Sequence, residues 1–120
     1  MMDVLSSEAS RQLLTAIHAR LPTGHHGYFM VNQRRYQGTL HLIERFAEGR
    51  EILEVGSAPA YFTALLKAAG YTVVGIDLDP SRVDEMVAIF ALDIRRCDVE
   101  RDTLPSQPAA RVFSSSPDSA

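Results

Sequence analysis

Three carboxylates and one turn of small residues hold most of the chemistry that this sequence offers. The segment Ile52-Leu53-Glu54-Val55 leads into Gly56-Ser57-Ala58-Pro59-Ala60, and Asp77 follows Gly56 by twenty-one residues, within Gly75-Ile76-Asp77-Leu78-Asp79-Pro80. A small-residue turn lets a ligand approach the backbone closely, and a carboxylate ending the next strand can accept hydrogen bonds from both hydroxyls of a ribose. Gly56 and Asp77 are therefore expected at the two ends of one surface for a nucleotide-like ligand. A buried Glu54 would need a cationic or hydrogen-bonding partner. Asp98, in Arg96-Cys97-Asp98-Val99, is the third carboxylate. Asp79 directly before Pro80 reads as a helix cap. Adjacent His25 and His26 admit a metal-binding or basic role, although neighbouring histidines in a polar loop are more often simply solvated. Cys97, the single cysteine, has no partner for a disulfide or zinc knuckle and reads as a small core residue.

The elements that must position these residues follow from apolar spacing. Leu13, Leu14, Ile17 and Leu21 recur at helical intervals over 7–21, and Pro22 with Gly24 ends the pattern. Residues 23–33 show no clear periodicity and read as a loop. A second helix is expected to follow, with Leu40, Ile43, Phe46 and Ala47 on one face and Gly49 at its left-handed cap. Ile52, Leu53 and Val55 form a short apolar run typical of a buried parallel strand. A third helix over 61–69 closes at Gly70. Val73, Val74 and Ile76 mark a second strand, and Val83, Met86, Val87 and Phe90 a fourth helix. A third strand is expected at about 93–97. Strand, helix, strand, helix, strand after a helical preface implies an α/β fold with a parallel sheet. From Ser106 onward, five serines and two prolines accompany only Val112 and Phe113 as large apolar residues, so this tail is expected to be disordered.

With these elements in order, residues 40–105 resemble the class I methyltransferases that depend on S-adenosyl-L-methionine (SAM). The first motif of that family is an acidic residue, one apolar residue and a turn often written Gly-Cys-Gly-Thr-Gly. Glu54 and Gly56 match its start, while Ser57, Ala58, Pro59 and Ala60 fill the turn, two alanines replacing glycines. Asp77 matches the second motif, and Asp98 stands where the family places a carboxylate facing the adenine amino group. The resemblance implies a Rossmann-like parallel sheet with a helical N-terminal extension. The expected cofactor-binding set is Glu54, Gly56, Ser57, Ala58, Asp77, Leu78, Asp98 and Val99. In it Glu54 would meet the amino group of the methionine moiety and Leu78 would flank the adenine. Tyr28, Arg35 or Tyr36 could contact the SAM carboxylate from a helical lid. No catalytic residue and no metal ligand are assigned.

The resemblance also implies a boundary. In relatives the acceptor pocket and any general base come largely from the end of the fourth strand and from later loops. The sequence departs from that course after Pro105, so a chain truncated after about three strands is expected. Loss of the reading frame near 104–106, or an unrelated cap, would produce it. The first strand would then be an open edge, available for self-association or a partner chain. The implied organisation is a helical region over 1–49, a SAM-binding half-domain over 50–105 and a tail over 106–120.

Two other functions remain open beside a methyltransferase acting on an unidentified acceptor. One is a non-catalytic module binding SAM or S-adenosylhomocysteine. The other is an NAD-dependent oxidoreductase, although Ala58 and Tyr61 stand where the second and third glycines of Gly-x-Gly-x-x-Gly would fall. A net charge of −3 gives no general attraction to nucleic acid, and Arg34-Arg35 and Arg95-Arg96 are too short to form a basic tract. No basic start or run of about 18 apolar residues marks a signal peptide or membrane span. A cytoplasmic protein without a membrane partner is expected.

Overall fold

The computed structural model describes residues 6–98, 100–101 and 110–113. Two compact units divide the chain, Met1–Ala47 and Glu48–Ala120.

In the first unit, Ser6 begins helix α1 (Ser7–Arg20) by accepting the Ala9 N–H at 3.0 Å, so one of the free amides of the first turn is satisfied. Leu14 and Ile17 form its buried stripe. The expected loop over 23–33 is instead the start of one long helix, α2 (Thr23–Phe46). Its buried residues Phe29, Tyr36, Leu40 and Ile43 continue a single stripe through the segment that lacked visible periodicity. Burial of Phe29, whose ring lies 5.9 Å from that of Tyr36, outweighs the poor helix propensity of Gly24 and Gly27. Gln37 ties the two helices, donating at 2.7 Å to the buried Ser10 hydroxyl and at 3.2 Å to the Ser7 carbonyl. Phe46, expected on the packed face, is exposed.

The second unit is a small α/β domain. Its elements are β1 (Glu51–Val55), α3 (Tyr61–Ala68), β2 (Thr72–Asp77), a single 3-10 turn (Pro80–Val83), α4 (Asp84–Phe90), β3 (Asp93–Arg96) and β4 (Ala110–Phe113). All strand pairs are parallel and the spatial order is β3-β2-β1-β4. Leu53, Ile76 and Cys97 form a core cluster with Val55 and Val74, so Cys97 is the core residue its composition suggested. Helix α3 is buried from Tyr61 to Leu66. At its end Gly70 takes φ 98°, and its N–H reaches the Lys67 carbonyl at 3.0 Å. Lys67 donates to the carbonyls of Phe90 and Ala91 where α4 ends, placing a cation on the negative pole of that helix.

Two expectations are corrected here. Residues 110–113, assigned to a disordered tail, form β4. The edge of β1, expected to be open, is covered by β4 in the register Ile52 to Ala110 through Val55 to Phe113. The sheet therefore has four strands rather than about three. An unpaired strand edge presents a row of free donors and acceptors, and even a four-residue strand satisfies part of that row.

Candidate functional site

The carboxyl ends of β1, β2 and β3 bring the sequence-derived residues together, but with unequal access. After β1 the chain turns sharply. Gly56 takes φ 74°, the Ala58–Pro59 bond is cis, and Ala60 takes φ 73° before α3 begins. The Gly56 and Ser57 N–H groups both donate to the Ile76 carbonyl, at 2.9 and 3.3 Å, which fastens the turn to β2.

Asp77 closes this surface from the other side. Its Oδ2 accepts the Ala58 N–H at 3.2 Å, and its Oδ1 accepts the Asp79 N–H at 3.1 Å. One carboxylate thus bridges the turn after β1 and the chain leaving β2, and it stays partly exposed. A carboxylate offers about four lone-pair sites, so beyond these two bonds each oxygen keeps a direction for a further donor. Leu78 beside it is 63% exposed, an apolar side chain left in solvent at the rim.

Glu54 and Ser57 do not face this surface. Glu54 is fully buried, and the Thr63 hydroxyl of α3 donates to its Oε1. A partner that its burial demands is thus supplied from within the chain. Ser57 is likewise buried, its hydroxyl donating at 3.4 Å to the Glu54 carbonyl. It fits because β2 carries Gly75 opposite. A Cβ at Gly75 would overlap the Ser57 hydroxyl and lie 3.0 Å from its Cβ and 3.1 Å from Ile94.

Asp98 sits just beyond β3, where the Cys97 N–H holds the chain to the Asp77 carbonyl at 3.0 Å. Its Oδ1 accepts the Glu100 N–H at 3.0 Å and Arg101 stands 3.8 Å from Oδ2, so it shapes the following turn. Val99 lies outside the described residues. Asp79 is the cap its position suggested, accepting the Ser81 N–H at 3.2 Å at the start of the 3-10 turn. On β3, the Arg95 guanidinium donates two hydrogen bonds to the Asp93 carboxylate, and these bonds with the negative charge of Asp93 raise its pKa above its ordinary value.

Thr63 and Gly75 are the structural partners that sequence reasoning passed over. Thr63 was the one polar side chain in the otherwise apolar run Tyr61-Phe62-Thr63-Ala64-Leu65-Leu66, a signal that something buried needed a donor. Gly75 interrupted a β-branched strand, which marks a close approach. In the first unit, His26 Nε2 lies 2.8 Å from the Leu21 carbonyl and its ring centroid 4.2 Å from that of His18, so His26 is packed rather than simply solvated. Among the described residues no group of three or more histidine, cysteine or carboxylate side chains is placed to hold a metal ion.

Compared with known protein families, curated proteins and solved structures, the chain gives no match.

Proposed function

We propose that the surface at the carboxyl ends of β1 to β3 binds S-adenosyl-L-methionine in the manner of the class I methyltransferases, and that the chain serves methyl transfer. The carrying observation is the partly exposed Asp77 carboxylate, held by the amides of Ala58 and Asp79 with one acceptor direction free on each oxygen. Two such directions suit the paired hydroxyls of a ribose. Gly56 and Ala58 keep the neighbouring backbone approachable, and the exposed Leu78 offers an apolar face to an adenine ring. Asp98 stands at the adjoining strand end. Glu54 acts as a positioning residue: through Thr63 it joins β1 to α3 beneath the turn. The strand order reverses between β1 and β4, and ligands of open α/β sheets bind at such reversals, which supports the Rossmann-like reading.

The bound cofactor would bring a sulfonium whose methyl group is already activated. The residues of this chain would bind and orient it, so that an acceptor could be aligned with the carbon–sulfur bond and water excluded.

Calorimetric titration of the chain with S-adenosylhomocysteine tests this directly, with NAD as the competing ligand. Saturable binding is expected, weakened about 100-fold in Asp77→Ala through loss of two hydrogen bonds to a charged group. A denaturation curve for each protein confirms that it is folded. No binding by the folded chain, or a preference for NAD, would overturn the reading.

A further inference from the structure

Among the described residues, helix α2 carries a second apolar face that is exposed. Its buried stripe is Phe29, Tyr36, Leu40 and Ile43, yet Val31 is 84% exposed, Phe46 71%, Leu42 57% and Tyr28 44%. At 100° per residue these four fall within an arc of about 60°, separate from the buried stripe. Scattered exposed apolar residues need no explanation, but two apolar pairs, Tyr28 with Val31 and Leu42 with Phe46, set on one line of a 24-residue helix on either side of Arg35 do.

The charges beside the row indicate what would cover it. Arg35 lies within the arc, and Arg34 and Arg45 fall along one flank of it; all three are exposed. The only carboxylate of α2, Glu44, lies about 160° away from Leu42 around the helix. Arg45 rests over the Phe46 ring at 5.6 Å, which keeps its guanidinium beside the apolar arc, whereas the Arg35 guanidinium lies 5.3 Å from the ring of Tyr36 on the buried stripe. An occupant must therefore be apolar along one line and negatively charged beside it.

A second copy of the chain fits this poorly. The four side chains offer on the order of 500 Å² per copy, against about 800 Å² per partner in a stable interface. An antiparallel pairing of the stripes, Tyr28 with Phe46 and Val31 with Leu42, would also bring the two Arg35 side chains close together at its centre. Nucleic acid supplies the charge but no apolar phase for Val31 and Leu42. An anionic bilayer surface supplies both, with acyl chains for the row and headgroup phosphates for arginines whose stems lie along it.

We propose that α2 is an interfacial docking helix, laying Tyr28, Val31, Leu42 and Phe46 into the headgroup boundary of an anionic membrane with Arg34, Arg35 and Arg45 on lipid phosphates. The expectation of no membrane partner concerns a spanning segment, and no described helix is long and apolar enough to cross a membrane. Lying in the interface is a different mode, requiring one apolar face instead of an apolar circumference.

The chain contains no tryptophan, so Phe46→Trp provides a fluorophore without background. The full chain carrying it is titrated with vesicles of phosphatidylcholine alone and with vesicles containing roughly 30% phosphatidylserine. A blue shift and saturable co-sedimentation are expected only with the anionic vesicles. Replacing each arginine by glutamine should weaken partition about fivefold, and Val31→Asp should abolish it. Far-UV circular dichroism shows that each variant keeps its helices, as expected for exposed positions. Binding equal on both vesicles, absent from both, or unmoved by these variants would overturn the proposal. So would a dimer in vesicle-free solution that Val31→Asp dissociates, since that assigns the stripe to a second copy.

Discussion

At Ala60 the backbone records the shape of the turn independently of the side chain. The residue takes φ 73°, a conformation in which a Cβ costs roughly 1–2 kcal/mol and glycine very little. Ala60 therefore holds a backbone conformation that glycine would adopt more readily. Ala60→Gly is expected to raise stability by roughly 0.5–1 kcal/mol in urea denaturation, whereas Ala58→Gly, with no positive φ to relieve, should not. A decrease for Ala60→Gly would mean that the methyl contact at this buried position outweighs the strain. At Gly75, by contrast, the fold requires the absence of a side chain. Gly75→Ala places a methyl group into Ser57 and should cost about 1–3 kcal/mol. Adding Ser57→Gly should recover part of that loss, and a double variant no more stable than the single one would show that Ile94 is the decisive clash.

At the level of elements, α2 shows how packing sets the extent of a helix. Its first turn has no side-chain cap and no acidic residue, and it carries Gly24 and Gly27. The helix is nevertheless continuous from Thr23 because Phe29 joins the same buried stripe as Tyr36 and Leu40, and most helical stability comes from such a face. Gly38 in its middle is a weakness without a packing reason, since a Cβ there meets nothing within 4 Å. Gly38→Ala should stabilise the protein by roughly 0.5–1 kcal/mol, read as a higher midpoint in chemical denaturation with an unchanged slope. A lower midpoint would mean that the added methyl group disturbs the folded helix by more than its propensity contributes. In contrast, α3 gains its position from Glu54 and Thr63, a polar tie inside an apolar interface.

For the whole molecule, β4 is the element with the largest consequence. Its pairing gives β1 a neighbour on each side, so one of the two interior strands of the sheet is also the one that leads into the turn at Gly56. A chain ended after Gln107 would lose β4 and expose the β1 edge. We expect light scattering to show concentration-dependent aggregation of that shortened chain at concentrations where the full chain stays dispersed. Equal behaviour of the two would mean that β4 contributes little to protecting the edge.

The sequence by itself determined β1 to β3 and the helices between them. Each rests on local signals: runs of β-branched and apolar residues, turn residues, and Asp79 before Pro80 as a cap. The tertiary structure alone decided which side chains face outward. Glu54 and Ser57 carry residue types suited to a ligand, yet both are enclosed, because Thr63 arrives from the next helix and Gly75 from the next strand. The helical state of 23–33, the exposure of Phe46 and the pairing of residues 110–113 with β1 belong to the same group. All of these depend on contacts between residues distant in the chain, and such contacts leave no periodic trace in the segments that make them.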